Sequence, residues 1–393
     1  EPLYAFTTST LGTGDLHSWA EVVDSNLTGL DAADGICAAR ANAAGLPSPD
    51  EFVAWLSDAN DDAYCRVFGL HGKKVTHCGL LALPLPVGAG PWLRTDGMPF
   101  AATIERVTID NVVYAPLNVD ESGNPTDGAP IQSYTATSRL GEYDTAVHES
   151  DCDAWKSASG ALSAILGNNS ATAQAWTNSA SGSGCGSPHH LICLQKGSAP
   201  ALTGYSRFGH REAFVTSVDL TGNLGGIAGA DGVCQSLAAA ANLHQPESFK
   251  ALITSVASGV NVIDRFDFDG AWYRRDGLPF ASNKAELVSG EVTLPLNVTE
   301  SGAYLGFSLA MTGAREDGSA AGLDCSDWTT AQPGLGSGAL VNFVKFAGPD
   351  WLSNADIACA GAQLPGDWPS KLLCLSDSDA LFHAEFEALP AAL

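Results

Sequence analysis

The chain reads Gly29-Leu30-Asp31-Ala32-Ala33-Asp34-Gly35-Ile36-Cys37, and later Gly226-Ile227-Ala228-Gly229-Ala230-Asp231-Gly232-Val233-Cys234. Three further stretches recur in the same order. Trp92-Leu93-Arg94-Thr95-Asp96-Gly97-Met98-Pro99-Phe100-Ala101 returns as Trp272-Tyr273-Arg274-Arg275-Asp276-Gly277-Leu278-Pro279-Phe280-Ala281. Pro116-Leu117-Asn118-Val119 returns as Pro295-Leu296-Asn297-Val298, and Cys152-Asp153-Ala154-Trp155 as Cys325-Ser326-Asp327-Trp328. A repeat of this kind implies two copies of one domain, and a function that a duplicated module can perform. A chain of 393 residues exceeds one ordinary core. Each copy is too long for a solenoid unit. The expected organisation is a first domain over 1–195, a linker over 196–211, a second domain over 212–376 and a tail over 377–393.

Inside each copy the pattern alternates short strands with one helix. Phe6-Thr7-Thr8 and Phe214-Val215-Thr216 read as opening strands, each followed by a Gly-rich turn. In the first copy that turn carries an insertion through His17-Ser18-Trp19. The helix that follows has Thr28 and Asp31 at capping-box spacing, with Asp34 adding charge near its start. Leu30, Ala33, Cys37, Ala41 and Ala44 fall on one face, as do Ile227, Ala230, Cys234, Ala238 and Ala241 in the second copy. Gly45 and Pro47 stop the first helix. A second element covers Glu51 to Ser57. Short strands are expected at Val107–Val113 and Val288–Leu294. The tail from Leu381 to Leu389 mixes Phe382 and Phe386 with acids, which suits an edge element or a free segment.

With 19 Lys and Arg against 44 Asp and Glu, the formal charge is −25. Such a field repels phosphate backbones, so no nucleic-acid partner is expected; it favours basic partners and divalent cations. No apolar run reaches membrane-spanning length. The nearest, Gly79 to Val87, is short, carries prolines and reads as a packed loop. No signal peptide is visible, and a start at Glu1 is what a processed secretory protein shows.

Ten cysteines are present. The second copy holds Cys234, Cys325, Cys359 and Cys374. The first holds Cys37, Cys152, Cys185 and Cys193 at matching places, plus Cys65 and Cys78. There is no Cys-x-x-Cys pair, which removes the main support for zinc-ribbon and thioredoxin-like readings. Cys65 and Cys78 have no counterpart in the second copy, so they are expected to bond each other. The remaining four must then pair the same way in both copies. An oxidising compartment follows, at the cell surface or outside the cell.

Gly29, Ala33, Asp34 and Cys37, then Ala44-Gly45-Leu46, then Phe52 to Ser57 together resemble the endostatin domain released from collagen. The likeness continues through Pro116 to Glu121, Cys152 with Trp155, Leu162 to Leu166, and Cys185 with Leu191 to Leu194. The second copy matches at Phe249, Glu300, Cys325, Trp328, Leu340, Cys359 and Cys374-Leu375. The chain is also similar to the endostatin-like surface proteins of bacteria. The resemblance implies an α+β chain of two tandem C-type-lectin-like (endostatin-like) domains. Each would have two helices beside a twisted, mostly antiparallel sheet with long loops. It also implies nested disulfides: Cys37–Cys193 around Cys152–Cys185, and Cys234–Cys374 around Cys325–Cys359. Each outer bridge would close well over a hundred residues, for about 4–5 kcal/mol in a chain-entropy view, against about 3 kcal/mol for a local Cys65–Cys78 bridge.

Few residues invite chemistry. Arg94 to Gly97 and Arg274 to Gly277 are first of all turns. Trp155, Trp328, Trp176 and Trp351 read as core. Glu121 and Glu300 follow Asn118 and Asn297 at matched spacing. No Glu-Pro-Asn, Gln-Pro-Asp or Trp-Asn-Asp is present, so lectin-type, calcium-dependent sugar binding is not expected. Asp58, Asp61 and Asp62, with Asn60, gather the oxygens that calcium takes, which makes calcium the one cofactor the sequence suggests, and Asp264, Asp267 and Asp269 form a second acidic loop. Neither has EF-hand spacing. His189-His190 reads as a surface pair. The zinc ligands of endostatin have no match near the start, and its basic heparin surface has none either. No nucleophile elbow, phosphate loop or Cys–His pair is present. Asn26, Asn168 to Ser170 and Asn297 carry glycosylation sequons. The expected function is non-enzymatic: an extracellular binding or adhesion protein whose loops contact a protein or glycan. The alternatives are a self-assembling subunit of an extracellular fibre or surface layer, joined by Glu1 to Thr8 or by the tail, and an enzyme on a formylglycine-generating-enzyme-like fold.

Overall fold

The computed structural model describes residues 2–81, 83–126, 131–145, 150–202, 211–289, 292–306, 308–332, 338–343, 351–353, 355–360 and 370–378. The expected tail lies almost wholly outside them, as does 203–210 of the expected linker. The chain is mixed α+β, with several sheets, few helices and five disulfides. Its contacts divide it into two compact units, Glu1–Leu202 and Thr203–Leu393.

In the first unit the strands are β1 (Leu3–Thr7), β2 (Phe52–Ala54), β3 (Trp92–Arg94), β4 (Pro99–Ala101), β5 (Gln132–Tyr134), β6 (Ser163–Asn168), β7 (Ser181–Gly184) and β8 (His190–Gln195). They form one sheet in the order β4-β3-β1-β8-β5-β6-β7, with β2 also on β8. Pairs β1–β3 and β5–β8 are parallel; the others are antiparallel. The second unit repeats this order. Its strands are β9 (Arg211–Val215), β10 (Phe249–Ala251), β11 (Trp272–Arg274), β12 (Pro279–Ala281), β13 (Leu309–Met311), β14 (Gly338–Phe343), β15 (Ala355–Ala358), β16 (Ser370–Lys371) and β17 (Leu373–Ser376). The counterpart of β8 is divided at Leu372, so β10-β17-β9-β11-β12 and β15-β14-β13-β16 are counted as two sheets.

The closing strand organises each core. Successive side chains of a strand point to opposite faces. In β8, Leu191 and Cys193 enter one buried cluster with Phe6, Ile36, Phe52 and Trp155, while Ile192 and Leu194 enter another with Trp55, Trp92, Phe100 and Trp176. Leu372 and Cys374 divide from Leu373 and Leu375 in the same way. A strand buried on both faces reads as a continuous apolar run, which is what Leu191-Ile192-Cys193-Leu194 is.

One long helix packs in each unit, α1 (Gly29–Ala43) and α2 (Gly226–Ala240). Leu30, Ala33, Cys37 and Ala41 of α1 are buried, as expected from their spacing. Gly45 closes it in the left-handed region, with Leu46 N–H donating to Ala41 O at 3.0 Å. Thr28 is the N-cap residue but its side chain caps nothing, so the expected capping box is not made. Asp34 turns instead toward the next element: it accepts from Ala54 N–H at 2.9 Å and pairs with Arg66. Asp231, Ala251 and Arg265 repeat the arrangement.

Other local expectations need correction. Pro49–Glu51 is a single 3-10 turn that leads into β2, so no second long helix follows α1. Val107–Val113 is not a strand; Ile104–Thr108 is a short helix whose Thr103 cap draws residues forward into the turn. Lys284–Leu287 likewise precedes Val288 as a helical turn. Gly79–Val87 does not pack down: Leu81, Leu83 and Val87 are 82%, 58% and 67% exposed, and Leu85 is the residue that turns inward.

Candidate functional site

The strand exit of the first unit is where its architecture departs from that of the second. After β1, Thr8 Oγ1 donates to Thr10 O and accepts from Leu191 N–H. Gly12 and His189 exchange backbone hydrogen bonds at 3.1 and 2.9 Å. Gly14 must be glycine, because a Cβ there would lie 2.4 Å from Cys152 Sγ. The second unit repeats each step. Leu372 N–H donates to Thr216 Oγ1, Leu220 bridges Ser370, and a Cβ on Gly222 would meet Cys325 Sγ at 2.4 Å.

Beyond Leu16 the copies part. The first unit has residues 17–28 before α1, where the second has Gly225 alone between Leu224 and α2. The inserted chain folds back on the strand exit. Trp19 is 5% exposed, and its indole N–H donates to Thr13 O at 2.9 Å. Gly12 lies flat on the ring, since a Cβ there would fall 2.2 Å from indole atoms. Thr10–Thr13 and Ser18–Glu21 therefore face each other across a cleft of about 340 Å³. Thr10 Oγ1 is buried at this cleft with no hydrogen-bond partner among the described residues.

A polar chain runs from the cleft into the scaffold. Glu121 is 2% exposed and accepts from Ser9 N–H at 2.9 Å, from Ser9 Oγ at 2.6 Å and from Arg40 Nε at 2.9 Å. Arg40 Nη2 also reaches Glu121 and Ser9 Oγ. Its remaining arm, Nη1, lies 3.7 Å from the Glu21 carboxylate that lines the cleft. Glu300 repeats the grip on Ser217, through its N–H at 3.0 Å and its hydroxyl. The arginine is not repeated: Leu237 stands where Arg40 does, three residues after the bridged cysteine.

The other candidate residues lie elsewhere. Cys37–Cys193, Cys65–Cys78, Cys152–Cys185, Cys234–Cys374 and Cys325–Cys359 are bonded, and no cysteine is free. Asp58, Asp61 and Asp62 do come together, but facing protein donors. Asp58 accepts from the N–H groups of Asn60 and Asp61. Asp61 accepts from Gly72 N–H and lies 3.1 Å from His71 Nδ1. Asp62 takes Tyr143 N–H at 2.8 Å, Lys74 N–H at 2.7 Å and Lys73 Nζ at 3.1 Å. The loop thereby ties the segment closed by Cys65–Cys78 to the core. Among the described residues no group of three or more His, Cys, Asp or Glu side chains is placed to hold a metal ion.

The repeated Arg-x-Asp-Gly and Pro-Leu-Asn-Val stretches meet. Arg94 Nη1 donates to Pro116 O and Asn118 Oδ1, both at 2.8 Å, while Nε reaches Asp96 at 3.0 Å. Arg274, Pro295, Asn297 and Asp276 repeat the clamp. Asn297 is consequently 1% exposed, which withholds that sequon in the folded chain, whereas Asn26 is exposed. His189 and His190 are 5% and 6% exposed, so the expected surface pair is buried. The His189 ring packs edge-on against Tyr134 at 4.9 Å, and neither of its nitrogens has a hydrogen-bond partner among the described residues. Burial, and then the neighbouring His190, hold its pKa below the usual histidine value.

In comparisons with known proteins, no family model matches the chain and no curated protein matches it. Five disulfides fit an oxidising, extracellular setting, and among the described residues no helix is long and apolar enough to cross a membrane. The cleft and its link to Arg40 went unread in the sequence. The available signals were the insertion at 17–28 and the Arg40 for Leu237 exchange.

Proposed function

We propose that the chain is an extracellular binding protein without catalytic activity, built from two C-type-lectin-like, endostatin-like domains that present variable loops on a common bridged scaffold. One observation carries this reading. The two units agree in strand order, in the indole bonds of Trp155 and Trp328 and in the arginine clamps, and diverge in the loops that leave them. The first alone has the insertion at 17–28 and the bridged loop at Cys65–Cys78. A scaffold held fixed while its loops vary is the design of a recognition module. The partner is an extracellular protein or glycan. The test is a binding screen against both, followed by replacement of 17–28 with a single glycine, as in the second unit. Specific capture that the replacement abolishes supports the proposal; a screen with no specific partner overturns it.

A second reading has its own observation. Val75, Leu81, Leu83 and Val87, all within 74–87, are each 58% or more exposed. Solvated apolar side chains grouped this way suit a contact between copies, as in a fibre or surface-layer subunit. Sedimentation at high concentration decides it: a strictly monomeric species removes this reading.

A further inference from the structure

We propose that the cleft between Thr10–Thr13 and Ser18–Glu21 receives a primary ammonium group on an aliphatic stem, supplied by a lysine side chain of a protein partner. This rests on the binding reading above and names the chemistry of its first site. The Glu21 carboxylate carries the argument. Its side chain is 12% exposed, so it is largely withdrawn from water. Its one partner among the described residues is Arg40 Nη1 at 3.7 Å, an ion pair longer than a hydrogen bond. A carboxylate so placed still lacks donors and gains from any it acquires.

Arg40 does not supply them. Its Nε and Nη2 are committed to Glu121 and Ser9. Two carboxylates, Glu21 and Glu121, thus share one guanidinium, and the cluster keeps one negative charge for a cation to meet. The cleft that Glu21 lines is otherwise walled by Leu11, 41% exposed, Gly12, Trp19 and Ala20, with the hydroxyl residues Thr10, Thr13 and Ser18. A chain of methylenes fits such a wall while its charged tip meets the carboxylate. An anion would face a cluster of net negative charge, and a neutral sugar would leave that charge unanswered. The −25 charge of the whole chain steers cations toward it. The second unit has no insertion, no Arg40 and no Glu21, so it lacks the site.

The experiment uses the full chain, observed by amide and indole N–H spectra. The probes are Nα-acetyl-lysine amide, its Nε-acetylated form and n-butylammonium. Saturable shifts of the Trp19 indole N–H and of the Ala20 and Glu21 amides are expected with the lysine probe. Nε-acetylation, which removes the charge and keeps the stem, should abolish them. Glu21→Gln should weaken binding at least tenfold while leaving the fold unchanged. n-Butylammonium, which carries the same charged tip and stem as a lysine side chain, should bind as the lysine probe does, and its failure to bind would overturn the ammonium-and-stem assignment. No saturable shift, or shifts unchanged by Nε-acetylation or by Glu21→Gln, overturns the site itself. If replacing 17–28 still abolishes capture of a partner while the lysine probe fails, the ammonium assignment falls and the binding function stands.

Discussion

The Arg94 guanidinium donates to the side-chain oxygen of Asn118 across 2.8 Å, and Arg274 does the same to Asn297 across 3.2 Å. Each pair joins a turn to a distant segment in the interior, where a charge must be fully partnered. Removing the arginine leaves the half-buried Asp276 beside Tyr304 with its main cation gone. Arg274→Met should therefore destabilise the second unit by about 3–5 kcal/mol. Urea unfolding followed by a probe within that unit measures it, and a loss below about 1 kcal/mol would show that the clamp is dispensable.

The same clamp sets an acid limit. Burial pushes the Asp276 carboxyl up, but the Arg274 charge and the hydrogen bonds from Arg274, Tyr304 and Leu278 N–H outweigh it and hold it below the usual carboxylate range. A depressed folded value means this stabilisation is complete above the unfolded value of about 3.9 and is lost as pH falls through the folded one. His189 acts in a milder range. Its lowered folded value means stability is complete above the unfolded value of about 6.5 and falls as pH drops below it. His189→Phe should flatten the dependence of first-unit melting temperature between neutral pH and pH near 5.5. An unchanged slope would assign the effect elsewhere.

Cys152, Asp153, Ala154 and Trp155 all have φ between 54° and 64°, as do Cys325 to Trp328 between 50° and 60°. Four consecutive L-residues in the left-handed region carry a steric cost of about 1–2 kcal/mol each. Asp151 caps the first turn by accepting from Ala154 N–H, and the buried Trp155 donates its indole N–H to Ser57 O at 3.0 Å. Packing and bridge together hold what the local backbone resists. Ala154→Gly should stabilise the first unit by about 0.5–1 kcal/mol, the relief of Cβ contact less the entropy that glycine adds to the unfolded chain. Thermal melting of the two proteins side by side gives the sign, and a destabilised variant would mean the methyl group packs usefully.

Asp62→Ala removes acceptors from Tyr143 N–H, Lys74 N–H and Lys73 at a buried position, and should cost about 2–4 kcal/mol. Because these oxygens already hold protein donors, millimolar calcium should leave the wild-type melting temperature nearly unchanged. A large rise on adding calcium, reversed by chelation, would instead assign the ion to the loop of Asp58, Asp61 and Asp62.

What could be read in advance divides by range along the chain. The helix face from Leu30 to Ala41 and the buried closing run from Leu191 to Leu194 follow from periodicity, a local property. The turns at Gly97 and Gly277 follow from local chemistry too, with φ of 89° and 81°. The meeting of Arg94 with Asn118 is a tertiary event, visible in sequence only as two motifs repeated together. His189 misled because a histidine pair beside Pro188 has surface composition, whereas its backbone pairing to Gly12 pulls it inside. The cleft was hidden for the same reason: its two walls are neighbours only after Trp19 folds under Gly12.

In the first unit the strand with the most partners comes last. Residues of β8 pair with β1, β2 and β5, and Thr8 Oγ1 waits for Leu191 N–H, 183 residues downstream. During synthesis β1 can meet β3 and α1 can meet β2, but β1 lacks its other neighbour and Cys37 its bridge until that segment has emerged. The Cys37 thiol therefore stays unbridged, and in need of protection from oxidation with the wrong partner, for almost the whole time the first unit is being translated.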